Sequence, residues 1–181
     1  MGAMGPLCRG KALIGAVLIL PSVIWAQDKD PSTAIPMDLT SGRPIVHVFI
    51  NSDGPFKFVF DTAASHTIVS SDLAARLRLP ATGVAVVSAP GSGVAIQVPR
   101  INIKELRCGD FKFFDRSAVV ISDKSLFQSI KADGVICLQD FDGYVVSVDY
   151  GEKRLIVESG ALPETDEPGT VPLKFVEGVP G

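Results

Sequence analysis

Short apolar runs alternate with turn-forming residues along most of the chain. Runs of four to eight residues rich in Val, Ile and Phe, bounded by Gly, Pro, Asn or Asp, are typical of strands. The pattern predicts an all-β domain with one or two short helices. One is expected at 72–77, and residues 123–130 are expected to form either a second short helix or an irregular loop. The predicted strands cover 35–39, 44–50, 56–60, 67–70, 84–88, 94–98, 100–106, 111–114, 117–121, 135–136, 143–150 and 154–157.

The amino terminus differs from the rest of the chain. A positively charged start precedes an apolar run at 12–25, and Ala26 offers a small residue for cleavage, so residues 1–26 are predicted to be a signal peptide. A membrane anchor is the alternative, but the run is short for a bilayer and Pro21 interrupts it. We therefore expect a periplasmic or secreted protein without stable membrane insertion after cleavage. Residues 27–33 are predicted to be a flexible leader.

Composition and charge exclude several classes of protein. Hydrophobic residues make up 46% and charged residues 20%, which permits a packed core. The net charge is -3 and no basic cluster is present, so nucleic acid is not an expected partner. No Cys/His group has metal-ligand spacing, and we expect neither a metal nor a cofactor. Cys108 and Cys137 are expected to be unlinked buried thiols, with a disulfide between them as the alternative.

One aspartate stands at the end of the most strongly apolar strand. The strand at 56–60 runs into Asp61, and a turn of small residues follows before the next strand begins. A carboxylate in this position is costly to desolvate unless it is hydrogen-bonded or functional, so Asp61 is the candidate catalytic residue. A serine-hydrolase site is not expected, because Ser65 and His66 are adjacent and should not face each other. The turn consists of Thr62, Ala63, Ala64 and Ser65.

A short segment near the end of the chain resembles residues 35–44. Three residues recur with a separation of 136 positions, which suggests an internal repeat. We predict one domain at 34–158, followed at 159–181 by a linker and the possible start of a truncated second repeat. The identical pairs are Pro36 with Pro172, Gly42 with Gly178 and Pro44 with Pro180.

Two segments resemble the signature of a known family. Residues 58–65 are similar to the hydrophobic-Asp-Thr-Gly-Ala-Ser motif of retropepsin-like aspartic proteases, and residues 132–138 resemble the second element of that family. The resemblance implies a closed or partly open β barrel with a flap hairpin over the site. The implied flap tip is Ala89, Pro90, Gly91, Ser92 and Gly93, and the implied second-element loop is Gly134, Val135, Ile136 and Cys137.

The resemblance also implies a mechanism. Two aspartates that face each other across a twofold axis share one proton, activate a water molecule and hydrolyse a peptide bond, as in an aspartic endopeptidase. Thr62 would hydrogen-bond across the axis. The chain holds one such aspartate, Asp61. A peptide or protein is therefore the implied substrate, and a second copy of the domain, in a homodimer or a tandem repeat, is the implied partner.

Three departures from the family pattern support an alternative function. Ala63 and Cys137 stand where the family has glycine, and no tyrosine occurs between Gly83 and Val98 to serve as the flap tyrosine. Glycine tolerates unusual φ angles and close backbone approach, which other residues do not. The alternative is a catalytically weak or inactive domain that binds peptides.

The residue at position 64 leads to a prediction about pH. Ala64 has no hydroxyl group to donate a hydrogen bond to the outer carboxylate oxygen. We expect cleavage to be fastest at weakly acidic or neutral pH. A pH–rate profile on a peptide substrate tests this, and a maximum below about pH 3 would contradict it.

Overall fold

The computed structural model describes Met1, residues 32–88 and 94–160, and the backbone of two short strands near the end of the chain. The predicted signal peptide, most of the leader, the predicted flap tip at 89–93 and most of 161–181 lie outside the described residues. The strands are β1 Thr33–Pro36, β2 Ile45–Ile50, β3 Asp53–Asp61, β4 Thr67–Ser70, β5 Ala81–Ser88, β6 Ala95–Cys108, β7 Phe111–Ile121, β8 Gly134–Cys137, β9 Tyr144–Asp149, β10 Arg154–Ser159, β11 Phe175–Val176 and β12 Val179–Pro180. The helices are α1 Ser71–Arg76, α2 Lys124–Ile130 and a 3-10 helix at Leu138–Phe141.

Six strands form a closed barrel. Their order is β2-β3-β8-β4-β7-β6, and a further pairing of β2 with β6 closes the ring. Strand β5 pairs with β6 outside the ring, so these two strands project from the barrel as a hairpin. A second sheet of order β1-β10-β9 accompanies the barrel. The barrel that the family resemblance implies is therefore confirmed.

The barrel closes around one large apolar core. Core-facing side chains alternate along β2 and β3, as the two-residue period of a strand requires. Leu155 of β10 and Phe141 of the 3-10 helix join the same core, so the second sheet packs on the barrel. The largest fully buried side chains are Phe58, Phe141, Ile35, Ile50, Leu73, Ile101, Ile103, Leu106, Ile136 and Leu155.

The short strand β8 lies between β3 and β4. It pairs in parallel with β3 and antiparallel with β4, and all four of its residues are buried. Gly134 lies where β8 meets both neighbours. A Cβ added there would lie 2.4 Å from the Ile68 carbonyl oxygen and 2.5 Å from the Phe58 ring. Only glycine lets the three strands approach this closely.

Both predicted helices are present, and a side-chain hydrogen bond caps the amino terminus of each. The Ser70 hydroxyl accepts a hydrogen bond from the Leu73 backbone N–H at 3.3 Å and caps α1. The Asp123 carboxylate accepts from the backbone N–H groups of Ser125 and Leu126 and caps α2. These hydrogen bonds and a further one from the Ser125 hydroxyl lower the pKa of Asp123.

Several predicted boundaries were wrong. The predicted strands at 94–98 and 100–106 are one strand, β6, which continues through Pro99 because that residue lies where β6 pairs only with β5. The predicted strands at 111–114 and 117–121 are likewise one strand, β7, although Asp115 has a φ of 51°.

The described part of the chain has no helix long and apolar enough to cross a membrane.

The junction at Gly134 generates a prediction about stability. The substitution Gly134→Ala should lower the free energy of unfolding by about 3 kcal/mol, because the new methyl group overlaps the Ile68 carbonyl. Urea denaturation monitored by circular dichroism measures the change. Gly83→Ala is the matched control, since nothing lies within 4 Å of its added Cβ, and it should stay within about 0.5 kcal/mol of wild type. Equal effects of the two substitutions would contradict the packing argument.

Candidate active site

Asp61 is the last residue of β3, and the parallel pairing with β8 sets its position. Its backbone lies opposite Cys137, the last residue of β8, so both segments of the family motif end side by side. The side chain is half-buried. Its Oδ1 atom accepts a hydrogen bond from the Ala63 backbone N–H at 2.9 Å, and no described residue donates to Oδ2. One carboxylate oxygen is thus fixed by the turn.

The turn after Asp61 faces outward. Thr62, Ala63 and Ser65 are exposed, while Ala64 is half-buried and packs against a small apolar cluster that includes Ile45, Val59 and Val135. No described residue hydrogen-bonds the Thr62 hydroxyl group. The non-glycine residues with positive φ do not include Ala63, so alanine fits the turn without strain.

The prediction that the Ser65 and His66 side chains do not face each other was wrong. The Ser65 hydroxyl lies 3.0 Å from Nδ1 of His66, so the two neighbouring side chains do contact each other. Among the described residues, no carboxylate hydrogen-bonds the other ring nitrogen of His66. The pair therefore lacks the orienting acid that a serine nucleophile and its base normally have.

A buried polar cluster lies directly behind the Asp61 turn. The Cys137 backbone N–H donates to the Thr67 hydroxyl at 3.2 Å, and the Thr67 hydroxyl donates to Oδ2 of Asp140. The Cys137 thiol lies 3.5 Å from the same carboxyl oxygen. Because Thr67 begins β4 and Cys137 ends β8, the cluster links the strand that follows the turn to the strand beside Asp61.

Burial controls the protonation of this cluster. Desolvation raises the pKa of Asp140, although hydrogen bonds from Thr67 and Cys137 and the charge of Arg116 act in the opposite direction. Desolvation and the nearby Asp140 carboxyl raise the pKa of the Cys137 thiol to about 11. Cys137 is therefore a neutral, unreactive thiol rather than a nucleophile. It is also unlinked, as is Cys108, which agrees with the prediction for both cysteines.

Asp140 is the residue that sequence analysis missed. An aspartate in a short turn is expected to be solvated, yet Asp140 is only 6% exposed. One signal was present in the sequence: Asp140 follows a fully apolar strand by three residues and lies directly before Phe141. A charged residue inside such a stretch is seldom buried without partners. The sequence alone did not identify Thr67 as that partner.

An apolar surface runs from the turn toward the projecting hairpin. Ile68, which follows the turn, packs against two apolar clusters, one beside Ala64 and one at the base of the hairpin. Val87 of β5 packs against the second cluster, and Ile96 lies opposite Val87 on β6. The predicted flap hairpin thus has a described base, while its tip, 89–93, lies outside the described residues. Among the described residues, no group of His, Cys, Asp or Glu side chains could hold a metal ion.

Comparison with known proteins places this geometry in a class. A closed six-stranded barrel with an aspartate at the junction of two parallel strands defines a retropepsin-like domain. In a superposition on a retropepsin-like aspartic protease from Rickettsia conorii the TM-score is 0.50 at 18% identity, and 71% of this chain and 91% of that chain are covered. This likeness shows the fold.

A family model described as aspartyl protease matches residues 46–137, just over half of the chain. The chain belongs to this aspartyl protease family, which supports aspartic protease activity in general. No curated protein matches the sequence.

The buried cluster generates a prediction about pH. Because the folded-state pKa of Asp140 is raised, the unfolded chain releases this proton first as the pH rises above the ordinary value of 3.8. The folded state therefore loses stability relative to the unfolded state as pH increases toward the folded-state pKa. Asp140→Asn should remove this part of the pH dependence and gain stability relative to wild type as the pH rises above 3.8, as measured by urea denaturation at each pH.

A second substitution separates titration from hydrogen bonding. Asp140→Ala deletes the acceptor of the Thr67 hydroxyl and should cost about 1–3 kcal/mol. Asp142→Asn is the control, because Asp142 is exposed and close in sequence. A wild-type pH profile with the same slope as that of Asp140→Asn would contradict a raised pKa of Asp140.

Proposed function

We propose that the domain is an aspartic endopeptidase in which Asp61 supplies one of two catalytic carboxyl groups. The observation that carries this proposal is the position of Asp61 at the junction of β3 and β8, in an exposed turn that two strands and a buried polar cluster brace from behind. Catalysis by a carboxylate requires such a fixed position, since a small displacement of the reacting group costs rate.

The proposed chemistry needs a second carboxyl group close to Asp61. Two carboxyl groups at short distance cannot both ionise, so they hold one proton between them. The charged carboxylate takes a proton from a water molecule, which attacks the peptide carbonyl. The protonated carboxyl polarises that carbonyl. The Oδ2 atom of Asp61, which accepts no hydrogen bond from the described residues, is the atom that would contact the water.

The second carboxyl group has to come from another copy of the domain. The chain contains one Asp-Thr turn, and the exposed side chains beside it, Thr62, Ala63 and Ser65, are available for contact with an equivalent turn. A twofold arrangement would bring two copies of Asp61 together. Thr62 would then hydrogen-bond to the partner turn, which fits a hydroxyl group that no described residue bonds.

The apolar surface between the turn and the hairpin suits an extended peptide. Ile68, Val87 and Ile96 line it, and the hairpin would close over the bound chain and exclude water. We infer that apolar side chains flank the scissile bond. Residues 1–26, predicted to be a signal peptide, support a site of action outside the cytoplasm.

A second candidate function is a peptide-binding domain without effective catalysis. Cys137 favours it, because a thiol occupies the position beside Asp61 where the family has glycine. The sulfur is accommodated in the buried cluster and does not displace the pairing with β3, which favours the active enzyme.

Replacement of the proposed catalytic group distinguishes the two functions. Asp61→Asn keeps the size of the side chain but removes its charge, and it should reduce cleavage of a mixed peptide library by about a thousandfold or more. Mass spectrometry of the peptides measures cleavage. Asp110→Asn, in the exposed turn between β6 and β7, is the matched control and should retain full activity.

The outcomes separate three cases. Loss of cleavage only in Asp61→Asn supports the aspartic mechanism. Equal cleavage by wild type and Asp61→Asn would exclude it. Retention of peptides without cleavage by either protein would favour the peptide-binding function.

A further inference from the structure

Two neighbouring cavities lie at the end of the barrel opposite to Asp61. The first, of about 330 Å³, lies between α2 and the start of α1, and the second, of about 580 Å³, lies between the β2–β3 turn and the end of α1. Asp133 lines both, and we call the two cavities together the Asp133 groove. Because Asp133 directly precedes β8, which runs parallel to β3, the groove lies where these strands begin, whereas Asp61 lies where β3 ends. Lys57, which lines the first cavity, is four residues before Asp61, or about 13 Å along the strand.

Five cationic side chains from separate parts of the sequence line the Asp133 groove. They form no basic run in the sequence, and the fold brings them together from β3, from α1 and the residues after it, and from α2 and its carboxyl-terminal end. The chain as a whole has a net charge of -3, so the groove is a local concentration of cations on an acidic protein. The five are Lys57, Lys124 and Lys131 in the first cavity and Arg76 and Arg78 in the second.

Three of these cations have no anionic partner among the described residues. Lys124 pairs with Asp72 at 3.3 Å, and the Arg76 guanidinium lies 5.1 Å from the centre of the Phe56 ring. The described ion pairs do not include Lys57, Arg78 or Lys131, and all three residues are exposed. A ligand with negative charges would therefore gain these contacts without displacing an existing ion pair.

Hydrogen bonds fix the backbone at the centre of the groove. The Asp133 backbone N–H donates to the Lys57 carbonyl at 2.7 Å, and the Asp133 carboxylate accepts from the Lys57 backbone N–H at 3.0 Å. The Ser70 backbone N–H donates to the Asp133 carbonyl at 3.0 Å, which connects the start of α1 to the same point. A groove that is already ordered loses less conformational entropy when a ligand binds.

Apolar surface lies among the cations. Phe56 and Leu77 are half-buried and line the second cavity, and Phe127 lines the first. A ligand that carries both negative charges and apolar side chains would contact the cations and these residues together. An acidic polypeptide segment has this composition, whereas inorganic phosphate does not.

Carboxylates in the same cavities disfavour a nucleic acid. Asp53 lines the second cavity, Asp72 lines the first and Asp133 lies between them. A phosphate backbone carries a negative charge at every step and would meet these carboxylates, with repulsion as the result. A peptide can place a neutral or cationic side chain opposite each of them.

We propose that the Asp133 groove binds an acidic segment of a partner polypeptide, at a site separate from Asp61. Glutamate or aspartate side chains of the partner pair with Lys57, Lys131 and Arg78, and apolar side chains of the partner contact Phe56 and Leu77. Such binding requires no catalysis at Asp61, so it applies to the protease and to the peptide-binding alternative alike.

Fluorescence anisotropy with a labelled acidic peptide tests this proposal on the intact chain. The probe is a peptide of about ten residues in which glutamates alternate with serine and leucine, long enough at about 33 Å to cross both cavities. It should bind at low ionic strength and lose at least about tenfold in affinity between about 0.02 M and 0.3 M sodium chloride, because salt screens exposed charges. The same peptide with glutamine in place of glutamate should bind at least about tenfold more weakly.

A matched pair of triple variants locates the binding. Replacement of the three unpaired cations by glutamine should weaken binding of the acidic peptide by about tenfold or more, because each exposed charge contact contributes a modest amount. The control replaces three exposed lysines outside the groove, makes the same change in net charge, and should stay within about twofold of wild type. Both variants should keep the wild-type urea denaturation midpoint. The groove variant is Lys57→Gln, Arg78→Gln and Lys131→Gln, and the control is Lys104→Gln, Lys112→Gln and Lys153→Gln.

Each outcome decides the proposal. Weakened binding in the groove variant alone supports it. No binding of the acidic peptide to wild type, or equal loss in both variants, would overturn it. A single-stranded oligonucleotide of the same charge that binds wild type as tightly as the peptide, and is lost in the same variant, would overturn the assignment of a polypeptide partner.

Discussion

The hydrogen-bonded position of β8 between β3 and β4 is the constraint on which the rest of the site depends. Strand β3 ends at Asp61, and strand β4 begins directly after the turn that follows it. Any separation of these two strands would therefore move the turn. Strand β8 holds both at once and is only four residues long. Gly134 makes that arrangement possible, because no other side chain fits between the Phe58 ring and the Ile68 carbonyl.

The cysteine at the end of β8 is compatible with this constraint because its sulfur has polar neighbours. A larger side chain in place of glycine normally pushes strands apart or leaves strain. Here the thiol lies within 3.6 Å of the Thr67 hydroxyl and 3.5 Å of the Asp140 carboxyl. The β3–β8 register continues to Cys137 itself. The substitution thus changes the support of the turn and leaves the path of its backbone intact.

Much of the fold was predictable because short-range patterns determine it. Alternation of apolar residues located most strands, and Ser70 marked the start of α1, since a cap depends on a few neighbouring residues. The joining of two predicted strands into β6 was not predictable, because the choice of neighbour for Pro99 depends on the whole sheet. Asp61 was identified by its place after a buried strand. Asp140 was missed because its partner, Thr67, lies 73 positions away in the sequence.

Asp61 and Asp140 show that aspartates at two places in one small domain have different roles. Asp140 is enclosed by the core, where desolvation raises its pKa, and it serves as a hydrogen-bonding group between strands. Asp61 lies at the outer edge of the same strands, with one oxygen bonded to its own turn. A single carboxylate can accept a proton but cannot also donate one in the same step. The hydrogen bonds of Asp140 are made within this domain, whereas the aspartic mechanism proposed for Asp61 would require a second carboxyl group beside it.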